Sequence, residues 1–179
     1  TPPGYRGDGV FDNCWKLIER HKATFMITVP TAMSALMQRP VGDADISSLR
    51  LAFCGSAPLP LELYRRFEEA AGVTICEGYG LTEATCLVSI NPPDGEKRIG
   101  SIGIPFPYTD VRIVNVATQV DCDADEIGEI CIASPGVYDG KTYTETAKNA
   151  DLFYPGVDSP LGADVQYLRT GDLGRIDAE

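Results

Sequence analysis

The densest group of side chains able to do chemistry lies at Cys76-Glu77-Gly78-Tyr79-Gly80-Leu81-Thr82-Glu83. Two glycines flank an aromatic ring, and a hydroxyl sits beside a carboxylate. Glycine lets a backbone approach a ligand closely, and the Tyr79 ring can stack on a flat heterocycle. Thr82 and Glu83 supply hard oxygen donors of the kind that face a phosphate group or Mg²⁺. A tyrosine-bearing turn capped by Thr82, with Glu83 in the first turn of a short helix, has the same spelling. A second stretch, Gly55-Ser56-Ala57-Pro58-Leu59-Pro60, offers free N–H groups and little bulk, suited to a nucleotide or an acyl tail. It reads equally as an ordinary strand-to-helix connection. In the third, Tyr167-Leu168-Arg169-Thr170-Gly171-Asp172, a carboxylate follows a glycine at a strand end. Asp172 so placed can accept both hydroxyls of a ribose, or can serve only the turn.

These stretches need a scaffold. Phe11, Cys14, Trp15 and Ile18 recur at helical spacing, Thr24–Val29 is rich in β-formers, and Pro30 opens a second helix through Met37. Leu49–Cys54 reads as a strand, Leu61–Ala71 as a helix stopped by Gly72, and Val73–Cys76 as a third strand. Strand, helix, strand, helix, strand at these lengths predicts a right-handed parallel α/β arrangement. The loops after Val29, Cys54 and Cys76 then share the carboxyl edge of the sheet, where open α/β sheets bind ligands. Past Pro92-Pro93-Asp94-Gly95 the runs shorten: Thr109–Val116, Glu129–Ala133, Val165–Leu168 and Leu173–Ile176 read as strands, Tyr143–Ala150 as one or two helical turns, and Asp151–Gly162 as a mobile surface loop. The expected division is residues 1–97, a parallel α/β part that binds nucleotide and acyl group, and residues 98–179, a β-rich part forming a distorted barrel.

Composition narrows the function. Across 179 residues, 15 basic and 26 acidic side chains give a net charge of −11, and 44% of residues are hydrophobic. That excludes a generally basic nucleic-acid surface, and the longest mostly apolar stretch, Ala23–Val29, is far too short to cross a bilayer. Residues 1–118 carry 13 acidic and 11 basic groups, residues 119–179 carry 13 and 4, so the acidity is concentrated in the second part. Six cysteines without a CxxC pair read as buried structural thiols in a reducing compartment, hence a cytoplasmic protein. The first residue is Thr1, followed by Pro2, and the last is Glu179, within a polar phrase; the chain reads as a fragment.

Together these motifs resemble the adenylate-forming, AMP-binding superfamily, which contains acyl-CoA synthetases, peptide-synthetase adenylation domains and luciferases. The resemblance rests on Gly55–Leu59, Glu77–Glu83, Arg98-Ile99-Gly100-Ser101-Ile102-Gly103-Ile104-Pro105, Gly128–Ile132 with Pro135-Gly136-Val137-Tyr138-Asp139-Gly140, and Tyr167–Asp172, in that order over residues 20–179. It implies that Tyr79 and Gly80 pack around adenine and that Gly55, Ser56 and Ala57 lie between adenine and the carboxylate substrate. It implies too that Thr82 contacts phosphate, Glu83 holds Mg²⁺, Asp172 grips the ribose, and Thr82 and Glu83 form the catalytic pair. The implied reaction is ATP-dependent activation of a carboxylic, fatty acid to an acyl-adenylate, followed by transfer to CoA. The pattern is closest to long- and medium-chain acyl-CoA synthetases. Leu81 stands where peptide-synthetase domains usually carry proline, and Thr82 where fatty-acyl-AMP ligases often carry alanine. A fatty-acyl-AMP ligase, another adenylation domain, and a degenerate nucleotide-binding module are the alternatives. The resemblance places the phosphate loop before Thr1 and the lid domain with its lysine after Glu179, so this stretch alone is expected to be inactive. Partners would be a small carboxylate, ATP and CoA, with neither nucleic acid nor a transmembrane segment; a homo-oligomer remains compatible.

Overall fold

A computed structural model of the chain describes residues 4–138, 142–156, 158–162 and 164–178. Asp139 and Gly140 of the fourth motif lie outside the described residues, as do Thr1, Pro2 and Glu179. The chain forms two compact units. The first comprises residues up to Tyr79 together with Ser89–Ile104, and the second Gly80–Val88 with the residues from Pro105 onward.

In the first unit, α1 (Val10–His21) buries Trp15 and Ile18, and Lys22 closes it in a left-handed conformation. β1 (Phe25–Thr28) leads into α2 (Pro30–Leu36), where proline at the first helical position has no hydrogen bond to lose. β2 (Leu51–Cys54) leads to α3 (Leu61–Ala71), which ends where Gly72 takes φ 63° and donates its N–H to the Glu68 carbonyl at 2.8 Å. β3 (Thr74–Tyr79) follows. β1, β2 and β3 pair in parallel, with Phe25 opposite Leu51 and Leu51 opposite Thr74. Alternation along the strands turns Ala52, Cys54 and Ile75 into one core with Trp15, Met33, Leu36, Tyr64 and Phe67 from the three helices. Tyr64 is satisfied there, its hydroxyl donating to the Ile75 carbonyl at 3.2 Å.

The sheet is mixed, which corrects the expectation of a parallel one. β4 (Ser89–Ile90) runs antiparallel to β3, with Gly78 opposite Ile90, and β5 (Ile104–Pro105) ends the order β1-β2-β3-β4-β5. The reason is the connection length. Only Gly80–Val88 joins β3 to β4, fewer residues than a parallel crossover needs.

The second unit also departs from expectation. β6 (Asp110–Val114), β7 (Gly128–Ala133), β8 (Phe153–Pro155) and β9 (Gln166–Gly174) form an antiparallel sheet in the order β6-β7-β9-β8. It is open, with β6 and β8 as its edges, and no closed or curled sheet occurs among the described residues. The distorted barrel is therefore overturned. Four strands, one of them three residues long, fall short of the number whose tilt and stagger bring a sheet back on itself. Thr146–Asn149 forms the short helical turn, as 3-10 helix. The stretch read as a surface loop contains β8, and the two strands read at Val165–Leu168 and Leu173–Ile176 are one strand, β9. One face of the sheet packs Val114, Cys131, Ala133 and Tyr167. Arg112 lies over the Tyr167 ring at 4.7 Å, and the Tyr167 hydroxyl bonds to Asp110.

Candidate active site

Because β1, β2 and β3 are parallel, the residues that follow them leave one edge of the first unit's sheet. Gly55 follows β2 and is buried, while Ser56 and Ala57 beside it are exposed. Ser56 takes φ 68°, a left-handed conformation unusual for a residue with a Cβ. Gly55 and Gly78 are glycine for the same reason. A Cβ on Gly55 would stand 3.0 Å from the Phe53 ring and 3.2 Å from the Gly78 carbonyl oxygen, and one on Gly78 would stand 2.8 Å from the Ser89 carbonyl oxygen. The aromatic ring thus fills the place of two side chains. Tyr79 ends β3, half-buried.

Glu77 precedes these residues and is a buried carboxylate, 9% exposed. Its Oε2 accepts the Gly100 N–H at 2.9 Å, and the Leu59 backbone supplies a second hydrogen bond. Burial pushes its pKa above the ordinary glutamate value, and the two backbone donors oppose that rise. Asn91 acts beside it: Nδ2 donates to the Ser101 carbonyl at 2.6 Å and Oδ1 accepts the Arg98 N–H at 3.0 Å. Glu77 and Asn91 thereby fasten the Arg98–Gly103 phrase to β3 and β4.

In the second unit Gly80 opens a tight curl. A Cβ there would fall on the carbonyl oxygen of Cys86, so the loop closes only with glycine. Thr82–Ala84 is a single 3-10 turn, ended by Thr85 and Cys86 at φ 55° and 87°. Thr82 is exposed and Glu83 half-buried. Glu83 Oε1 accepts a hydrogen bond of 2.6 Å from the Tyr143 hydroxyl. Above all this bond, and also the backbone N–H of Glu83 itself, hold the carboxyl below its ordinary range, and the same bond raises the tyrosine's pKa. Tyr143 is itself clasped at the backbone, since Asn149 accepts its N–H at 2.9 Å and donates to its carbonyl at 2.8 Å.

Asp172 sits on a bulge of β9. Cys131 pairs with Arg169 and Glu129 with Leu173, so β9 advances four residues where β7 advances two. Thr170, Gly171 and Asp172 face the single residue Ile130, a surplus of two. Thr170 Oγ1 donates to the Ile130 carbonyl at 2.8 Å and accepts the Asp172 N–H at 3.1 Å. Gly171 takes φ 76°, and Asp172 is exposed.

Of the residues singled out in the sequence, Gly55, Ser56, Ala57 and Tyr79 therefore belong to the first unit, and Gly80, Thr82, Glu83 and Asp172 to the second. Thr82 and Glu83 share one turn, and Asp172 stands on a different element. Tyr143, Glu77, Asn91 and Glu129 were not assigned roles from the sequence. Tyr143 lies 60 residues beyond Glu83, and no local spacing reveals such a pair. Among the described residues no three His, Cys, Asp or Glu side chains gather as a metal site. One carboxylate nonetheless suits Mg²⁺, which commonly binds one or two carboxylates and takes its other ligands from substrate phosphates and water.

Similarity to known proteins identifies the family and the fold. The family model of the AMP-binding enzyme matches residues 5–140. The marinolic acid–CoA ligase of Pseudoalteromonas sp. (strain SANK 73390) is 35% identical over 181 residues, covering 98% of this chain and 26% of that protein. The crystal structure of a long-chain-fatty-acid–CoA ligase from Archaeoglobus fulgidus superposes with a TM-score of 0.84 at 23% identity, covering 93% of this chain and 34% of that one, a likeness of fold. ATP-bound MatB from Rhodopseudomonas palustris gives a TM-score of 0.79 at 30% identity, covering 94% of this chain and 31% of that one. The chain thus spans about a quarter to a third of the proteins it matches. On the matched residues and the motifs they contain, this chain belongs to the family of AMP-binding enzymes.

Proposed function

We propose that the full-length protein is an acyl-CoA synthetase, which activates a carboxylic acid with ATP and transfers the acyl group to CoA. The observation that carries this reading is the Glu83 carboxylate on the Thr82–Ala84 turn, hydrogen-bonded by Tyr143, within the AMP-binding family match. Substrate carboxylate oxygen attacks the α-phosphorus, the bond to pyrophosphate breaks, and an acyl-adenylate forms; the thiol of CoA then displaces AMP to give the thioester. Such a reaction asks the protein mainly to position groups and to neutralise charge.

Magnesium, when bound, would offset the charge of the triphosphate. Glu83 would hold it, with its carboxyl pKa drawn below the ordinary glutamate range chiefly by the Tyr143 hydroxyl. The Thr82 hydroxyl would donate to a phosphate oxygen. Tyr79 would present its ring to adenine, with the Gly80 backbone packed beside it. Asp172 would accept the ribose hydroxyls, and Gly55, Ser56 and Ala57 would line the path between adenine and the acyl group. CoA would be the second substrate.

A fatty acid is the proposed acyl donor, supported by relatives named for long-chain-fatty-acid–CoA ligase activity in Bacillus subtilis and Salmonella typhimurium, 34% and 35% identical. All six cysteines are free thiols, which favours a reducing compartment, and we place the protein in the cytoplasm. No helix among the described residues is long and apolar enough to cross a membrane. Carboxylate-dependent exchange of labelled pyrophosphate into ATP by the full-length protein tests the first half-reaction. Exchange with fatty acids that falls at least a hundredfold in Glu83→Ala, with unchanged folding, is the expected result. Wild-type exchange in that variant would remove Glu83 from the metal site, and no exchange with any acid would overturn the reading.

A further inference from the structure

We propose that Glu129 is a positioning residue for Asp172, setting the shape of the β9 bulge and through it the grip on the nucleotide's ribose. The proposal rests on the assignment of Asp172 to the ribose hydroxyls.

A bulge with two surplus residues has no fixed shape from the ladder alone, because the residues in excess face no partner strand. Something must hold them, and four bonds do. Glu129 Oε1 accepts the Gly171 N–H at 3.0 Å, at the apex of the excess and next to Asp172. Glu129 Oε2 takes the Arg169 guanidinium at 3.3 Å, at the point where regular pairing stops. The Thr170 hydroxyl joins the Ile130 carbonyl to the Asp172 N–H. One carboxylate thus spans the bulge from its last regularly paired residue to its apex, with one oxygen for each. Glu129 can do so because its side chain is only 12% exposed and it pairs with Leu173, immediately beside the excess. A carboxylate shielded in this way holds its donors more firmly than a solvated one.

Removal of the side chain leaves Gly171 N–H and the Arg169 guanidinium without this acceptor. Gly171, at φ 76°, is the residue with most freedom to turn when released. Any turn there swings the next residue, Asp172. A fault at Glu129 therefore reaches the ribose without touching the triphosphate or the acyl group.

The test uses the full-length protein and compares kcat/KM for ATP with that for 2′-deoxy-ATP and for 3′-deoxy-ATP. Wild type, Asp172→Ala, Glu129→Ala and Glu129→Gln are measured together. A residue that merely supported the fold would lower all three nucleotides alike. The expected result is a preference for ATP in wild type that vanishes in Asp172→Ala and falls about tenfold in Glu129→Ala. In Glu129→Gln, which keeps an acceptor for Gly171 but not the ion pair, the fall is about threefold. The loss should lie in KM for ATP, with kcat at saturating ATP changed less. Should Glu129→Ala fail to fold, Glu129→Gln carries the test. Wild-type preference in the folded Glu129 variants, with preference lost in Asp172→Ala, overturns the role of Glu129 alone. Preference retained in Asp172→Ala overturns the ribose assignment and the proposal with it.

Discussion

The Tyr143 hydroxyl donates to Oε1 of Glu83 at 2.6 Å, joining the turn after β3 to the segment before β8. One hydrogen bond sets both ionisations: it favours the carboxylate over the acid and the phenol over the phenolate. Tyr143→Phe should therefore return the Glu83 pKa upward toward the ordinary value. The sign follows from linkage. A carboxyl whose folded pKa lies below its unfolded value contributes stability above the unfolded value and loses it as pH falls through the folded one. Carbon-13 titration of the glutamate carboxyls should show one group moving up in Tyr143→Phe, and the acid limb of the activity profile should move to higher pH with it. An unmoved Glu83 would mean that the bond does not form in solution.

Glu77 has the opposite sign. Its folded pKa is raised, chiefly by burial, so its contribution to stability is fully present below the unfolded carboxylate value and is lost as pH rises through the folded one. Denaturant titrations should show that, as pH falls from neutral toward the ordinary carboxylate range, wild type gains a stability contribution that Glu77→Gln lacks. Glu77→Ala leaves the Gly100 and Leu59 donors without their acceptor and should cost about 1–3 kcal/mol at pH 7. A Glu77→Gln slope equal to that of wild type would contradict the assignment.

Gly80→Ala tests the curl that carries Thr82 and Glu83. The new methyl group would meet the backbone at Cys86, which unlike the end of a flexible side chain cannot step aside. The loop must open, at a cost of about 1–3 kcal/mol, and exchange activity should fall by more than tenfold. Calorimetry and the exchange assay read the two effects. Full activity in Gly80→Ala would mean that the loop geometry does not matter to the reaction.

The features legible in the sequence were those with local causes. Pro30, Gly72 and the periodic apolar positions Trp15, Ile18 and Phe67 announced the three helices. Each of them acts on its own neighbours in the chain. β4 was not legible, because Ser89-Ile90 is too short to show a period and its direction depends on a loop's length. The break read between Leu168 and Leu173 was real but misunderstood. Thr170-Gly171 interrupts the β pattern because β9 bulges there, and only the register against β7 distinguishes a bulge from a strand end. The barrel was expected because short strands and turns spell open and closed sheets alike. Closure depends on whether β6 and β8 meet, a relation between residues far apart in the chain. Within the candidate site, Thr82, Glu83 and Asp172 announced themselves by type and neighbours. Asn91 acts through partners at least seven residues away, Glu129 through partners forty or more away, and Tyr143 reaches Glu83 across sixty, so nothing in their own surroundings marked these roles.

The central claim, acyl transfer to CoA by way of an adenylate, is tested most directly by product analysis. The full-length protein would be incubated with ATP, Mg²⁺ and carboxylic acids of short to long chain, with and without CoA, and AMP, pyrophosphate and thioester would be quantified. The account predicts AMP and acyl-CoA thioester in equal amounts when CoA is present, with fatty acids the best substrates. Adenylate that accumulates and never becomes a thioester would contradict the ligase reading in favour of a fatty-acyl-AMP ligase, and the absence of pyrophosphate release with every acid would contradict adenylation itself.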